Sequence, residues 1–200
     1  MFRKKVIFTL IAGVAALALP AFSQSEDGGR NEVSVQAFGS FLKSTTDNGV
    51  QNSATNSGGV LGSYRYFFGV HNGVEVNYGY ALNTQNFASP SGAPGVKNYS
   101  HEASAAYVFR LPLKRFTPFV TAGAGALVFD PKDFQDADTQ TRAAFVYGAG
   151  ADFKISSHVF LRAEYSGFVY NSPTYNLTSL NGIDRITHRA EPSIGFGYRF

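Results

Sequence analysis

The sequence predicts an all-β fold, an eight-stranded antiparallel transmembrane β-barrel with short turns at one end and four longer external loops at the other. Three observations carry that prediction. The chain ends Ala190-Glu-Pro-Ser-Ile-Gly-Phe-Gly-Tyr-Arg-Phe200, with Ala190, Ile194, Phe196, Tyr198 and Phe200 on one parity and Glu191, Ser193, Gly195, Gly197 and Arg199 on the other. Successive side chains of a strand face opposite sides. This strand is therefore apolar on one side, while its other side combines charges with tiny residues, as a crowded lumen requires. Alternation of this kind recurs along the chain, and the connections between the alternating segments are short and long in turn. The chain also opens with an export signal.

Arg3, Lys4 and Lys5 precede an uncharged apolar run from Val6 to Leu19, and Ala21, Phe22 and Ser23 close it. This is the layout of a cleaved secretory signal, here residues 1–23, with cleavage before Gln24. The run is shorter than the roughly 20 residues that span a bilayer as a helix. Residues 24–31 form a polar N-terminal segment, and 32–200 the barrel domain. The formal net charge of +3 belongs wholly to the signal, because 14 of the 17 Lys and Arg lie from Gln24 onward, where they meet all 14 Asp and Glu. A formally neutral mature chain offers no electrostatic footprint for nucleic acid. No cysteine occurs, which excludes disulfides, thiolate metal sites and an acylated N-terminus. Spanning strands need only about 9 to 11 alternating residues each, so a mean hydropathy of −0.10 is compatible with membrane residence.

The first strand is Glu32 to Phe41, with Val33, Val35, Ala37 and Phe41 toward lipid. The second, Gly59 to Phe68, turns Val60, Tyr64 and Tyr66 outward and Leu61, Ser63 and Arg65 inward. Val74 to Leu82 alternates most cleanly, with Val74, Val76, Tyr78, Tyr80 and Leu82 outward against Glu75, Asn77, Gly79 and Ala81. Ser100 to Arg110 faces Glu102, Ser104 and Ala106 inward. Pro118 to Val128 begins with a proline at the one strand position that tolerates it, and turns Thr121, Gly123 and Gly125 inward. Arg142 to Lys154 turns Gly148, Gly150, Asp152 and Lys154 inward, and Val159 to Tyr170 turns Arg162, Glu164 and Ser166 the same way. The C-terminal strand is the eighth. Pro192 removes a ladder hydrogen bond there, so a bulge or irregular stretch is expected.

Short connections fall near 69–73, 111–117 and 155–158, and long ones near 42–57, 83–98, 129–141 and 171–185. Short periplasmic turns and long external loops are the outer-membrane pattern. The long connections are rich in Asn, Ser, Thr, Gly and Asp, which suits solvated surface loops.

Eight strands enclose a space that side chains can fill. The inward charges are Arg65, Glu75, Glu102, Asp152, Lys154, Arg162, Glu164, Arg189, Glu191 and Arg199. Both signs are present in near balance, which predicts an ion-paired plug more than an open pore. A first turn centred near 70 or 71 sets Arg65 across from Glu75 or Asn77, and the same arithmetic sets Asp152 across from Arg162 or Phe160.

The pairs Gly123/Gly125, Gly148/Gly150 and Gly195/Gly197 precede no helix and complete no phosphate loop. They are read as making room for the inward Arg and Glu side chains. Tyr64, Tyr66, Tyr78, Tyr80, Tyr107, Tyr147, Tyr165 and Tyr198 share the lipid parity, as interfacial girdles require. His71, His101, His158 and His188 show no metal-ligand spacing, and Ser100 and Glu102 cannot share a face with His101. No catalytic group, metal or cofactor is expected.

The segments Gly73 to Tyr80, Phe116 to Gly125, Ala144 to Gly150, Leu161 to Tyr165 and Gly197 to Phe200 together resemble the small outer-membrane β-barrel family, the OmpA/OmpX-like and opacity-porin-like group. The resemblance implies a Gram-negative outer-membrane protein in contact with membrane lipid and lipopolysaccharide. It implies that Phe196, Tyr198 and Phe200 form the signal read by the barrel-insertion machinery. It also implies a non-enzymatic structural or surface-interaction role through the external loops, in envelope integrity, adhesion or surface binding. A narrow porin-like channel is the alternative, and a lipid-modifying enzyme a more distant one, since no histidine is followed two places later by serine. Larger relatives carry a peptidoglycan-binding domain after the barrel, and this chain is expected to lack that tether.

Overall fold

The computed structural model describes residues 29–42, 45–47, 50–54, 57–88, 95–131, 139–171 and 186–200, with the backbone alone described over 45–47, 50–54, 82–88, 95–98 and 130–131. The expected signal, residues 1–23, and the loop residues 89–94, 132–138 and 172–185 lie outside the described residues. The strands are β1 (Asn31–Leu42), β2 (Thr45–Asp47), β3 (Val50–Ala54), β4 (Ser57–Phe67), β5 (Asn72–Ala88), β6 (Gly95–Arg110), β7 (Phe116–Pro131), β8 (Gln140–Lys154), β9 (Val159–Asn171) and β10 (Ile186–Arg199). Eight of them, all but β2 and β3, form a closed antiparallel barrel. Each pairs with its sequence neighbours, and β1 closes the ring against β10 from Glu32 opposite Arg199 to Leu42 opposite Arg189. Closure satisfies the backbone polar groups that hydrocarbon cannot. It extends to the C-terminus, where Asn31 and Phe200 exchange backbone hydrogen bonds of 3.0 and 2.9 Å.

The three expected turns are short and lie at the end of the barrel that carries both described chain ends. The Arg199 N–H donates to the His158 carbonyl at 2.8 Å, and the Lys154 N–H to the Arg115 carbonyl at 2.9 Å, lacing adjacent turns together.

Two expected long connections contain more ladder than their composition indicated. The 42–57 connection includes the hairpin β2–β3, and β3 pairs with the far end of β5 from Gln51 opposite Ala88 to Ala54 opposite Gln85. Much of 83–98 is likewise strand, with β5 and β6 paired out to Asn86 opposite Gly95. Polar residues sustain a strand beyond the bilayer, where neither face must be apolar, so alternation is lost although pairing continues.

Pro192 does not create a bulge. It stands opposite Tyr165 in an uninterrupted ladder with β9. On the β1 side the pairing stops at Phe38 opposite Ser193 and resumes in the same register at Phe41 opposite Ala190. The missing N–H therefore opens a gap of two pairs, and the unbroken register on the other edge holds the strand in line.

The core is the lumen. Alternate residues of β1, β4 and β8 are buried along much of their length, and those between face outward and are half-buried or exposed. Besides the charges, the lumen holds three apolar clusters: Phe38, Leu61 and Ala81; Phe67, Val108 and Phe119; and Leu127, Phe129, Ala144, Val146, Phe168 and Tyr170. This corrects the expected role of the glycine pairs in part: a Cβ at Gly148 would have the Glu164 carboxylate at 3.5 Å, whereas Gly150 and Gly197 leave room for inward phenylalanines, and Gly123, Gly125 and Gly195 come closest to the backbone of the neighbouring strand. A Cβ added at Gly197 would meet the Phe160 ring, with Cε1 at 2.9 Å, and one at Gly150 would meet Phe119 Cζ at 2.6 Å and the Ala163 carbonyl oxygen at 2.5 Å. Gly150→Ala is accordingly expected to destabilise the barrel by about 1–3 kcal/mol, the usual cost of overpacking, read as a lower urea midpoint in lipid vesicles.

Candidate functional site: the ion-paired lumen

Arg162, on β9, has no solvent exposure. Asp152 stands directly opposite it on β8 and accepts two hydrogen bonds, Nε to Oδ1 at 2.7 Å and Nη2 to Oδ2 at 2.9 Å. This side-on fork matches a planar guanidinium to a carboxylate. Arg162 Nη2 also donates to Glu32 Oε2 at 2.8 Å, and Nη1 to Ser34 Oγ at 3.3 Å. Glu32 Oε1 in turn accepts from Arg110 Nη1 at 2.7 Å and from Arg199 at 2.9 and 2.6 Å.

Arg65, on β4, pairs with Glu75, its opposite residue on β5, and reaches across the lumen to Glu164 of β9 at 3.2 Å. Inward rings serve as platforms for these cations. The Arg65 guanidinium carbon lies 4.0 Å from the Phe119 centroid, Arg110 lies 3.4 Å from Phe67, and Arg162 lies 4.9 Å from Phe160. Such stacking favours Arg over Lys.

Four arginines and four carboxylates, Glu32, Glu75, Asp152 and Glu164, thus form a balanced lattice in the half of the lumen nearer the short turns. A second cluster lies farther up, where Arg189 pairs with both Glu102 and Glu191 and donates to Ser100 Oγ at 3.1 Å. Gly79, opposite Glu102 on β5, leaves the space that the Glu102 carboxylate occupies. Beyond this cluster the lumen is filled by the apolar group around Leu127 and Phe168. The cavity bounded by Phe38, Asn77, Glu102, Phe168, Glu191 and Ser193 measures about 10 Å³, room for about one water.

Lys154 is a correction. It has the inward parity but is exposed, because it is the last residue of β8 and stands at the open mouth of the barrel. Two members of the lattice were missed by sequence reasoning. Glu32 opens β1 and Arg110 closes β6, so each looked like a strand boundary, although each has the inward parity of its strand. The inward phenylalanines were missed because a lumen was expected to be polar.

Among the other predicted residues, Phe196 and Tyr198 face lipid and are exposed, while Phe200 is half-buried at the chain end. The girdle tyrosines Tyr64, Tyr66, Tyr78, Tyr80, Tyr107, Tyr147, Tyr165 and Tyr198 are all exposed. Two of them hydrogen-bond outward histidines: Tyr78 bonds His101 at 2.8 Å, and Tyr147 bonds His188 at 2.7 Å. Tyr147 reaches His188 by lying across Gly167, where a Cβ would come within 2.7 Å of its ring. Among the described residues, no group of three or more His, Cys, Asp or Glu is arranged to hold a metal ion.

The fold is shared with solved barrels. OprG from Pseudomonas aeruginosa matches at a TM-score of 0.62 and 14% identity over 86% of this chain and 97% of its own. Neisserial surface protein A matches at 0.63 and 14%, over 85% and 97%. Ail, the attachment invasion locus protein of Yersinia pestis, matches at 0.55 and 21%, over 86% and 99%. No curated protein is similar enough in sequence to match. The family model described as "Outer membrane protein beta-barrel domain" matches residues 9–200. With its closed barrel and lipid-facing girdles, the chain belongs to this outer-membrane β-barrel family of the Gram-negative cell envelope.

Proposed function

We propose that this protein is a plugged outer-membrane scaffold that acts through its external loops, as a non-enzymatic structural or surface-interaction protein. The filled lumen carries this reading: opposite walls are cross-linked by Arg65 to Glu164, Arg110 to Glu32 and Arg189 to Glu102, and the cavity between the layers takes about one water. Surplus function then resides outside the bilayer. Membrane lipid and lipopolysaccharide surround the girdles, the insertion machinery reads Phe196, Tyr198 and Phe200, and residues 1–23 direct export before cleavage ahead of Gln24.

The first test is conductance of the refolded mature chain in planar bilayers. A folded barrel that passes no steady current at low or high salt is the expected result, and reproducible single-channel steps would overturn the plug and favour a narrow porin-like channel. The second is binding. Ail has been crystallised with the heparin analogue sucrose octasulfate, which makes a sulfated glycan a reasonable first probe. Replacement of 172–185 by a short Gly-Ser link should weaken any surface binding found; unchanged affinity after replacing this loop and the β2–β3 hairpin would count against the loops.

A further inference from the structure

We propose that the periplasmic mouth of the barrel is a binding site for a compact phosphate-class anion. A cavity of about 110 Å³ opens there between the turns 111–115 and 155–158, lined by Lys114, Lys154, Ser156, His158, Asp152 and Arg199 among others. That volume accommodates several waters or one tetrahedral oxyanion.

The charge balance of this end points to an anion. Asp152 is the cavity's carboxylate, and both its oxygens are taken by Arg162. Glu32, below it, is fully buried and shared among three arginines. The lattice is therefore already balanced without Lys114 and Lys154, which are exposed and make no ion pair among the described residues. Arg30 and Arg115 add further exposed positive charge at the same end, and among the described residues no exposed Asp or Glu side chain lies there, which leaves the Phe200 carboxylate as the negative group set against four exposed cations. Lys114 and Lys154 thus line one concave opening, where such cations raise the local concentration of anions.

The donor set favours phosphate over carboxylate. Arg199 uses Nε and Nη2 on Glu32, leaving Nη1 for an incoming oxygen. Ser156 Oγ accepts the N–H groups of His158 and Val159 at 3.4 and 3.1 Å, so its own hydroxyl is available to donate. The His158 ring is held by Ser157 at 2.9 Å and by stacking on Tyr198 at 5.6 Å. Lys114 from one turn, Lys154 from the end of β8, Arg199 from β10 and Ser156 from another turn line the same cavity, a donor set spread over several elements that suits an anion with several outward oxygens better than the two coplanar oxygens of a carboxylate.

The probe is inorganic phosphate, titrated into the full barrel refolded in maltoside micelles at low ionic strength and followed by phosphorus NMR line width and calorimetry. Saturable binding is expected. It should weaken at least tenfold in Lys114→Gln/Lys154→Gln, return in Lys114→Arg/Lys154→Arg, and stay unchanged in Arg142→Gln at the opposite end. All four proteins should retain the heat-modifiable mobility of a folded barrel, because both lysines lie outside the lattice. Absence of saturable binding, or binding indifferent to the double glutamine substitution, would overturn the site. Adding phosphatidylglycerol to the micelles distinguishes the sources of the anion: competition with free phosphate identifies a lipid headgroup, and no competition identifies a soluble phosphate or phosphoester.

Discussion

Arg162→Leu should lower the stability of the folded barrel by about 3–5 kcal/mol, the cost of leaving a buried charge without its partner. Arg162 serves Asp152 and Glu32 together, so its loss leaves the buried Asp152 without its arginine and takes from the buried Glu32 one of the three it shares. Leucine fills most of the volume, which separates the electrostatic effect from a cavity. Urea titration of vesicle-embedded protein should show the loss. The readout should be gel mobility or circular dichroism, because the chain contains no tryptophan. Arg162→Leu combined with Asp152→Asn should cost less than the sum of the two single changes, since residues in one network are coupled. The effect should also change little with added salt, because buried pairs are weakly screened. A change under about 1 kcal/mol would mean that the charges are hydrated and the plug is porous.

Ala149→Arg should cost about 2–4 kcal/mol in a bilayer, the penalty for a cation on the lipid face near the midplane of a barrel. Ala149 is outward and exposed, five residues along β8 from its periplasmic end. The same change at Ala143, outward on the same strand but near its external end, should cost about 0–1 kcal/mol. The contrast between the two is the informative quantity. It separates a lipid-facing surface from an exposed surface in water, where both changes would lie within about ±0.5 kcal/mol.

These two predictions rest on different halves of the same alternation, and each half was legible in the chain to a different degree. The lipid half was readable wherever side chains are described, the outward reading of Leu82 lying outside them. Val74, Val76, Tyr78 and Tyr80 lie outward because hydrocarbon tolerates nothing else at every second position, so the solvent enforces the pattern on one strand at a time. Hairpin partners were readable for a related reason. Arg65 and Glu75 are equidistant from a short turn, and a ladder with a two-residue period sets them opposite each other.

The lumen half obeys a looser rule. A filled lumen asks only that shapes fit and charges balance, so Phe119 and Phe160 serve beside Arg162 as well as a polar residue would, and parity does not announce them. Glu32 shows the limit most clearly. Its partners Arg110, Arg162 and Arg199 lie 78, 130 and 167 residues away, across the lumen for the first two and on the adjacent strand β10 for the third, and all come together only once the barrel has closed. Lys154 marks the same limit in reverse, since it has the parity of the lattice but is exposed at the last position of the wall.

The sequence by itself determined that the chain is a barrel, which faces of its strands meet lipid, where the short turns fall and which residues of a hairpin face each other. All of these follow from local periodicity and from contacts across a single turn. Only the tertiary structure decided which carboxylate serves which arginine across the lumen, how phenylalanines share the plug with the ions, that the ladder passes Pro192 without a bulge, and that unpaired lysines gather at one mouth. Those features depend on distances between strands that are remote in sequence, and ring closure sets those distances all at once.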